Sequence, residues 1–487
     1  MGIFANPLTD LLEYEDFSRD FLKGTDPVGM TGCIDSEKVH FMSTFLGEKK
    51  VQLVVTYNEQ RAREIEEDYK LFCSQVYVIP PRDLIFFSAD LQGNAIIAER
   101  MKAFAALYQN EAKVIITTID ALMSAAVPFE QLMSHVIKLK EGDELDLEKL
   151  KHDLTVMGYE RVGRVEEPGQ FTVHGGIADV YPLTMEVPVR IELWGDEIDT
   201  IRCFEPQSQR SMDQIESVSV FPAAEVIADD TARRRAVGMI QNELESQLAV
   251  FKKVKEPDKV KRLREETNRI LEALGEEVVL EAPDSYISYF YPRTVRLSEY
   301  FDEKNTLVFL DEPMRLKERG DGVQAEFEES MKNRLEQGFL LPGQTALLTP
   351  AKHVLAAFER GQVAALSSLD SRLADFTVVN SYAVNVQNMN TYREGFELLI
   401  KDLTHWKKEK YRIVLLCPSR TRANRIVNQL IEYDLLAYYS EDEDKKINPG
   451  EIMVTYGNLH RGFLYPMLKF AVITESDIFG VKKKKKE

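Results

Sequence analysis

Residues 52–80 read QLVVTYNEQRAREIEEDYKLFCSQVYVIP. QLVVTY (52–57) is a short apolar run of the kind a strand buried on both faces requires. NEQRAREIEEDYKLF follows as a charged helix former, with Ile65, Tyr69 and Phe72 at helical spacing. VYVIP (76–80) is a second strand, closed by Pro80-Pro81. Parallel strands need a crossover, and a helix between two buried strands supplies one, so this stretch is a βαβ unit.

Working outward, the pattern repeats. IAERMKAFAALYQ reads as a helix, KVIITT (113–118) as a strand, IDALMSA as a helix start, and TLVFLDEP (306–313) as another buried strand. From about residue 130 short alternating strands take over. GQFTVHGGIADVYP, PVRIELWG and EIDTIRCFEP are separated by Gly, Pro and Asp-rich turns, which marks a small β-rich insert ending near FPAAEVI. Residues 228–290 return to polar, periodic helix, with a Pro257-Asp258 start for the second helix. Beyond 350 come βα patterns in ALLTPAKHVLAAFERG and YRIVLLCPSRTRANRIVNQLIEY, then the strands EIMVTYG and KFAVITESD. The expected division is an α/β domain in two parts, 1–130 and 223–350, an insert at 131–222, a separate α/β domain at 351–475, and a basic disordered linker at 476–487.

Composition narrows the function classes. The 487 residues are 44% hydrophobic and 29% charged, the balance of a globular protein, and no apolar run approaches the roughly 18 residues of a membrane span. Cys33, Cys73, Cys203 and Cys417 are far apart, with no CxxC pair, so neither a zinc site nor a disulfide framework is implied and a reducing cytoplasm is the simplest home. No metal or cofactor site is expected. The net charge of −19 repels a phosphate backbone over most of the surface, so DNA binding by this chain alone should be weak. Arg420, Arg422 and Arg425 on one helix form either a basic patch or a solvated face, and the solvated face is the simpler reading.

One segment has the outline of a phosphate-binding loop. In GxxxxGK[ST], backbone N–H groups wrap phosphates, the Lys reaches the β- and γ-phosphates and the hydroxyl holds Mg²⁺. Against that form Gly29 and Ser36 of GMTGCIDS (29–36) fit, but Ile34 stands for the second Gly and Asp35 for the Lys. A β-branched residue resists the positive φ of a phosphate nest, and a carboxylate repels phosphate. Asp311 and Glu312 end a strand in the manner of the Mg²⁺-holding acids of such enzymes. Without an intact loop they have no metal–phosphate complex to serve. Taken alone, GMTGCIDS reads more simply as an ordinary loop.

The order of these pieces resembles a known family. The failed loop at 29–36 is followed by VVTYNEQRAREIEEDY, ERMKAFAAL, VIITTIDALM, GQFTVHGGIADVYP, PVRIELWGDEIDTIRCFEPQSQRS, LVFLDEP and LKFAVITESDIFG. Together they look like the N-terminal half of the bacterial transcription-repair coupling factors (Mfd), over nearly the whole chain, and the β-insert is the most specific part. Through about residue 350 the chain is also similar to the excision-repair helicase subunit UvrB. UvrB keeps a working loop and a long aromatic hairpin that threads damaged DNA. Here only Phe86 and Phe87 offer themselves for such a hairpin.

The resemblance implies a degenerate P-loop, RecA-like α/β domain without ATPase activity, and a β-insert that binds the damage-recognition ATPase UvrA. It implies that RNA polymerase and DNA are engaged by further domains, a polymerase-binding domain and a DNA translocase that uses ATP and Mg²⁺, which this sequence lacks. The reading is therefore an excised, non-enzymatic adaptor. Its competitors are an autoinhibitory module whose insert face is covered by a C-terminal domain and, against Ile34 and Asp35, an active UvrB-like ATPase.

The insert's binding face is legible apart from the family. In PVRIELWG, Val189, Ile191 and Leu193 alternate with Arg190, Glu192 and Trp194, so one set faces the core and the other faces out. Trp and Arg lead interface hot spots, whereas a Trp also serves as a rim cover for its own small domain. By the resemblance, Arg190 and Trp194 match an Arg and an aromatic residue of the UvrA-contacting strand. His174, before Gly175-Gly176, stands where the family has a third Arg.

Overall fold

The computed structural model describes residues 7–480, apart from 49, 83–91, 276–282, 371–375, 394 and 443–444. Phe86 and Phe87 and the lysine run at 482–486 lie outside the described residues. The strand Val51–Thr56, the helix Glu59–Tyr69 and the strand Val76–Ile79 form the expected βαβ unit. The helix starts at Asn58, whose side chain accepts the Arg61 N–H in place of a missing helical partner.

These strands belong to a seven-stranded sheet in which every neighbouring pair is parallel. Its order is Asn380–Ala383, Val28–Thr31, Val363–Ser367, Thr306–Asp311, Val51–Thr56, Val114–Thr118, Val76–Ile79. Side chains alternate between two cores, as the strand period requires. Leu53, Val55, Ile115, Val308, Leu310, Val363 and Ala365 enter one, with buried residues of helices Asp230–Lys253, Pro257–Gly275 and Pro313–Gln337. Val54, Val114, Ile116, Leu307, Phe309, Ala364 and Leu366 enter the other, with helices Leu12–Lys23, Asp35–Ser43 and Glu59–Tyr69.

That second core is shared with another sheet. Gln387–Asn388, Phe463–Tyr465, Phe470–Thr474, Arg412–Cys417, Ile452–Tyr456 and Ala437–Tyr439 form a mixed six-stranded sheet. Val414, Leu416, Met453, Phe463, Tyr465 and Val472 join the second core, while Ile413, Leu415, Val454 and Ile473 pack on helices Phe396–Lys408 and Arg420–Glu432. The expected boundary at 351 is therefore displaced. Val363–Ser367 and Asn380–Ala383 flank Val28–Thr31 in the first sheet, and the second begins at Gln387. The end of the chain differs as well. Part of the stretch read as linker is the helix Glu475–Phe479, capped by the Thr474 side chain.

The insert is closed at its neck by Ile137–Lys140 pairing antiparallel with Ser217–Val220. Inside it, Ser211–Gln214, Glu197–Phe204, Val189–Trp194, Ile177–Val180, Gln170–His174 and Glu160–Arg161 make a six-stranded sheet. Phe171, Val173, Ala178, Val180, Val189, Ile191 and Ile201 share one core with Leu150 and Leu154 of the helix Leu147–Val156. The residues between them form the opposite, polar face.

Candidate functional site

The chain joins Thr31 to the helix beginning at Asp35 through only Gly32, Cys33 and Ile34. Gly29 does not belong to this turn: it lies within the strand, paired with Ala365 and Ser381. Gly32 makes the turn, at φ +83°, and a Cβ there would stand 2.0 Å from the Val384 carbonyl oxygen. A phosphate nest needs free N–H groups, and two of those in this turn are taken. Cys33 N–H donates to the Ser367 carbonyl, and Ile34 N–H donates to Oε2 of Glu37 at 3.1 Å. Ser36, at the position of the Mg²⁺-holding hydroxyl, is buried and accepts the Arg461 N–H at 2.9 Å.

The acids at the end of Thr306–Asp311 are held by cations of the protein itself. Lys38 Nζ lies 2.7 Å from Asp311 Oδ1 and 2.6 Å from Glu312 Oε1. Thr56 Oγ1 donates to Asp311 Oδ2 at 2.8 Å, and Arg61 Nε approaches the same oxygen at 3.4 Å. Arg61 also donates to the Asp35 carbonyl, so the predicted loop and the predicted acids are joined through it. Glu312 takes a left-handed backbone, φ 56°, and its Oε1 also accepts the Ser368 N–H. Burial alone would raise the Asp311 carboxyl, but Lys38 and Arg61 outweigh it and hold it down at about 2. Lys38, Arg61 and Thr56 were absent from the sequence reading. Lys38 lies three residues past Asp35, where a lysine in a helix start reads as solvent-facing.

The helix Asp35–Ser43 is buried from Ser36 to Ser43 because the second sheet covers it. His40 stacks on Phe463 at 5.2 Å, Tyr465 donates its hydroxyl to Glu37 at 2.7 Å, and His460 N–H donates to Asp68 at 2.5 Å. Burial pushes the Glu37 and Asp68 carboxyls up to about 7, against the hydrogen bonds that favour their charged forms. Asp68 Oδ2 is buried without a partner. Protons bound more tightly in the folded state favour folding at low pH. This contribution is complete below the ordinary carboxylate range and is lost as pH rises towards about 7. The melting temperature should therefore fall from about pH 5 to about pH 8, and Glu37→Gln should flatten that fall. A wild-type profile that rises over this range would contradict it.

On the insert, Trp194 is 84% exposed at a hairpin end, beside Gly195 at φ +66°. His174, Ile177 and Glu192 form one cross-strand row on the polar face, and His174 and Ile177 are exposed. Arg190 sits in the neighbouring row but is committed within the insert. Its Nε and Nη2 donate to Asp179 at 2.8 and 2.7 Å, and the guanidinium lies 4.7 Å from the Phe204 ring centre. Leu193, predicted to face the core, is only half-buried, because the pairing slips between Glu192 and Leu193. Among the described residues no cluster of His, Cys, Asp and Glu could hold a metal ion, and no helix is long and apolar enough to cross a membrane. The four cysteines are free thiols.

Comparison with known proteins bears on the insert and on the second sheet. Residues 137–225 match the family described as UvrB interaction domain, and residues 405–478 match the MFD, D3 domain. A transcription-repair-coupling factor of Bacillus subtilis is 28% identical across 99% of this chain, which covers 41% of that relative. One of Staphylococcus epidermidis is 27% identical across 99% of the chain and 40% of the relative, and one of Staphylococcus haemolyticus is 28% identical across 96% and 39%. The chain thus spans about two-fifths of the length of the curated relatives it matches.

Proposed function

Since this chain matches the N-terminal region of transcription-repair-coupling factors, we propose that it is a protein-binding adaptor of transcription-coupled nucleotide excision repair that recruits UvrA. The observation that carries this is Trp194, the most exposed large apolar side chain of the described residues, on the open face of the UvrB interaction domain. A large aromatic ring held in water amid polar residues is the anchor a partner surface buries. RNA polymerase contacts, the principal grip on DNA and ATP-driven movement along it would then belong to the part of the relatives this chain does not span. Purified UvrA and the intact chain test the reading directly. Micromolar or tighter binding is expected, and its absence by interferometry would refute it.

The degenerate RecA-like domain acts here as scaffold, with neither ATP nor Mg²⁺ bound. Two of its turn donors, the Cys33 and Ile34 N–H groups, are occupied by Ser367 and Glu37, and its acids by Lys38. Isothermal titration with Mg-ATP should give no binding in the micromolar range. Replacing Ile34 with Gly and Asp35 with Lys should not restore it, because Lys38 and the Arg461 N–H keep their places. Micromolar affinity in the unaltered chain would sink the proposal of a closed site.

A further inference from the structure

Helices Asp230–Lys253 and Pro257–Gly275 pack as an antiparallel hairpin, and its turn is strongly basic in an acidic chain. Residues 252–264, KKVKEPDKVKRLR, hold seven Lys and Arg against two acids, while the whole chain carries −19. Lys252, Lys253, Lys255, Lys261 and Arg264 are exposed. Lys259 pairs with Glu256 at 3.5 Å, Lys261 with Glu265 at 3.8 Å, and Arg262 lies over Phe339 while donating to the Gln337 carbonyl. Among the described residues no carboxylate lies within ion-pair distance of Lys252, Lys253, Lys255 or Arg264.

Helix stability explains only part of this. Lys252 and Lys253 end the first helix, where cations complement the macrodipole. Lys255 and Lys259 flank the start of the second helix, where cations oppose it, and mutual repulsion adds to the cost. We propose that this hairpin turn is a contact site for the phosphate backbone of duplex nucleic acid. Lysine dominates the patch, and lysine is depleted in protein–protein interfaces but serves well as a point charge for phosphate. A single-strand site needs several open rings on which successive bases stack, whereas here Phe251 is buried and Phe339, 46% exposed, carries Arg262 over its ring. The contact is sequence-independent and reads no bases. Four unpartnered cations make it a supporting contact, weak by itself at physiological salt.

The test is fluorescence anisotropy of a short random-sequence DNA duplex with the full chain across a range of salt. Each neutralised phosphate contributes about −0.9 to the log–log slope, so four cations give about −3 to −4. K252Q/K253Q/K255Q should reduce the slope to about −1 and weaken binding at about 50 mM salt by tenfold or more. The comparable run on another surface, K407Q/K408Q/K410Q, should leave both unchanged, as should neutralising Lys482 to Lys486. Undetectable binding at low salt would overturn the proposal. So would an unaltered slope in the hairpin variant, or an equal loss in either control variant.

Discussion

Replacing Lys38 with alanine should lower the stability of this chain by about 3–5 kcal/mol, the cost of breaking a buried ion pair by removing one partner. The Nζ satisfies two carboxylates at once, at 2.7 and 2.6 Å, and Lys38 and Asp311 are 3% and 2% exposed. Without it Asp311 keeps Arg61 and Thr56, but among the described residues Glu312 keeps only the Ser368 N–H. The loss should depend on pH with a definite sign. Asp311 sits at about 2 in the folded chain, below its ordinary value, so its contribution is present at neutral pH. That contribution disappears as pH falls from about 4 through about 2, and the gap between Lys38→Ala and the unaltered chain should close over the same window. Urea midpoints at neutral and acid pH provide the measurement. A neutral-pH loss below about 1 kcal/mol would mean that water replaces the lysine at little cost, and the closed-site argument would fail. Lys38→Met separates charge from volume, because it keeps the buried chain length but not the cation.

How much of this was legible beforehand depends on what each residue faces. The strands 52–57, 76–80 and 113–118 were readable because both faces of a parallel sheet are buried, which leaves continuous apolar runs. The insert was readable because its single covered face enforces alternation, as at Val189, Arg190 and Ile191. The helix 35–43 was not readable in this way. It lies between two sheets, so Glu37, Lys38 and His40 are buried with no polar stripe to set them apart. Their partners, Asp311, Tyr465 and Phe463, are hundreds of residues away in sequence. The boundary at 351 missed for a related reason. VAALS (363–367) and NSYA (380–383) are short strands, and only their pairing on either side of Val28–Thr31 assigns them to the first sheet.

The same dependence on unseen partners separates two substitutions that look equivalent in the sequence. Trp194→Ala should weaken UvrA binding by about 2 kcal/mol or more, roughly thirtyfold, and leave the melting temperature unchanged. A ring that is 84% exposed contributes little to its own domain, so its removal costs only what a partner had buried. Arg190→Ala should weaken binding too, but not cleanly. It removes both hydrogen bonds to Asp179, a carboxylate 6% exposed, and the cation over Phe204. A buried acceptor left unpaired costs about 1–3 kcal/mol, so the insert itself should melt earlier. Arg190→Lys is the more informative replacement, because it keeps the charge beside Asp179 but cannot reproduce the two-pronged fork. If Arg190 acts mainly by holding the face in shape, Arg190→Lys should lose stability and binding in proportion. If it also meets a partner carboxylate, binding should fall further than stability. Leu193→Ala serves as the inward reference, with a modest loss of melting temperature because the side chain is only half-buried. His174→Ala should cost less binding than Trp194→Ala, since an imidazole offers a partner less apolar area to bury than an indole does. UvrA affinity and melting temperature measured on all five variants decide the matter. Unchanged affinity in both Trp194→Ala and Arg190→Ala would remove this face as the UvrA site, whereas an early melt in Trp194→Ala would mean that the ring belongs to the insert's own packing.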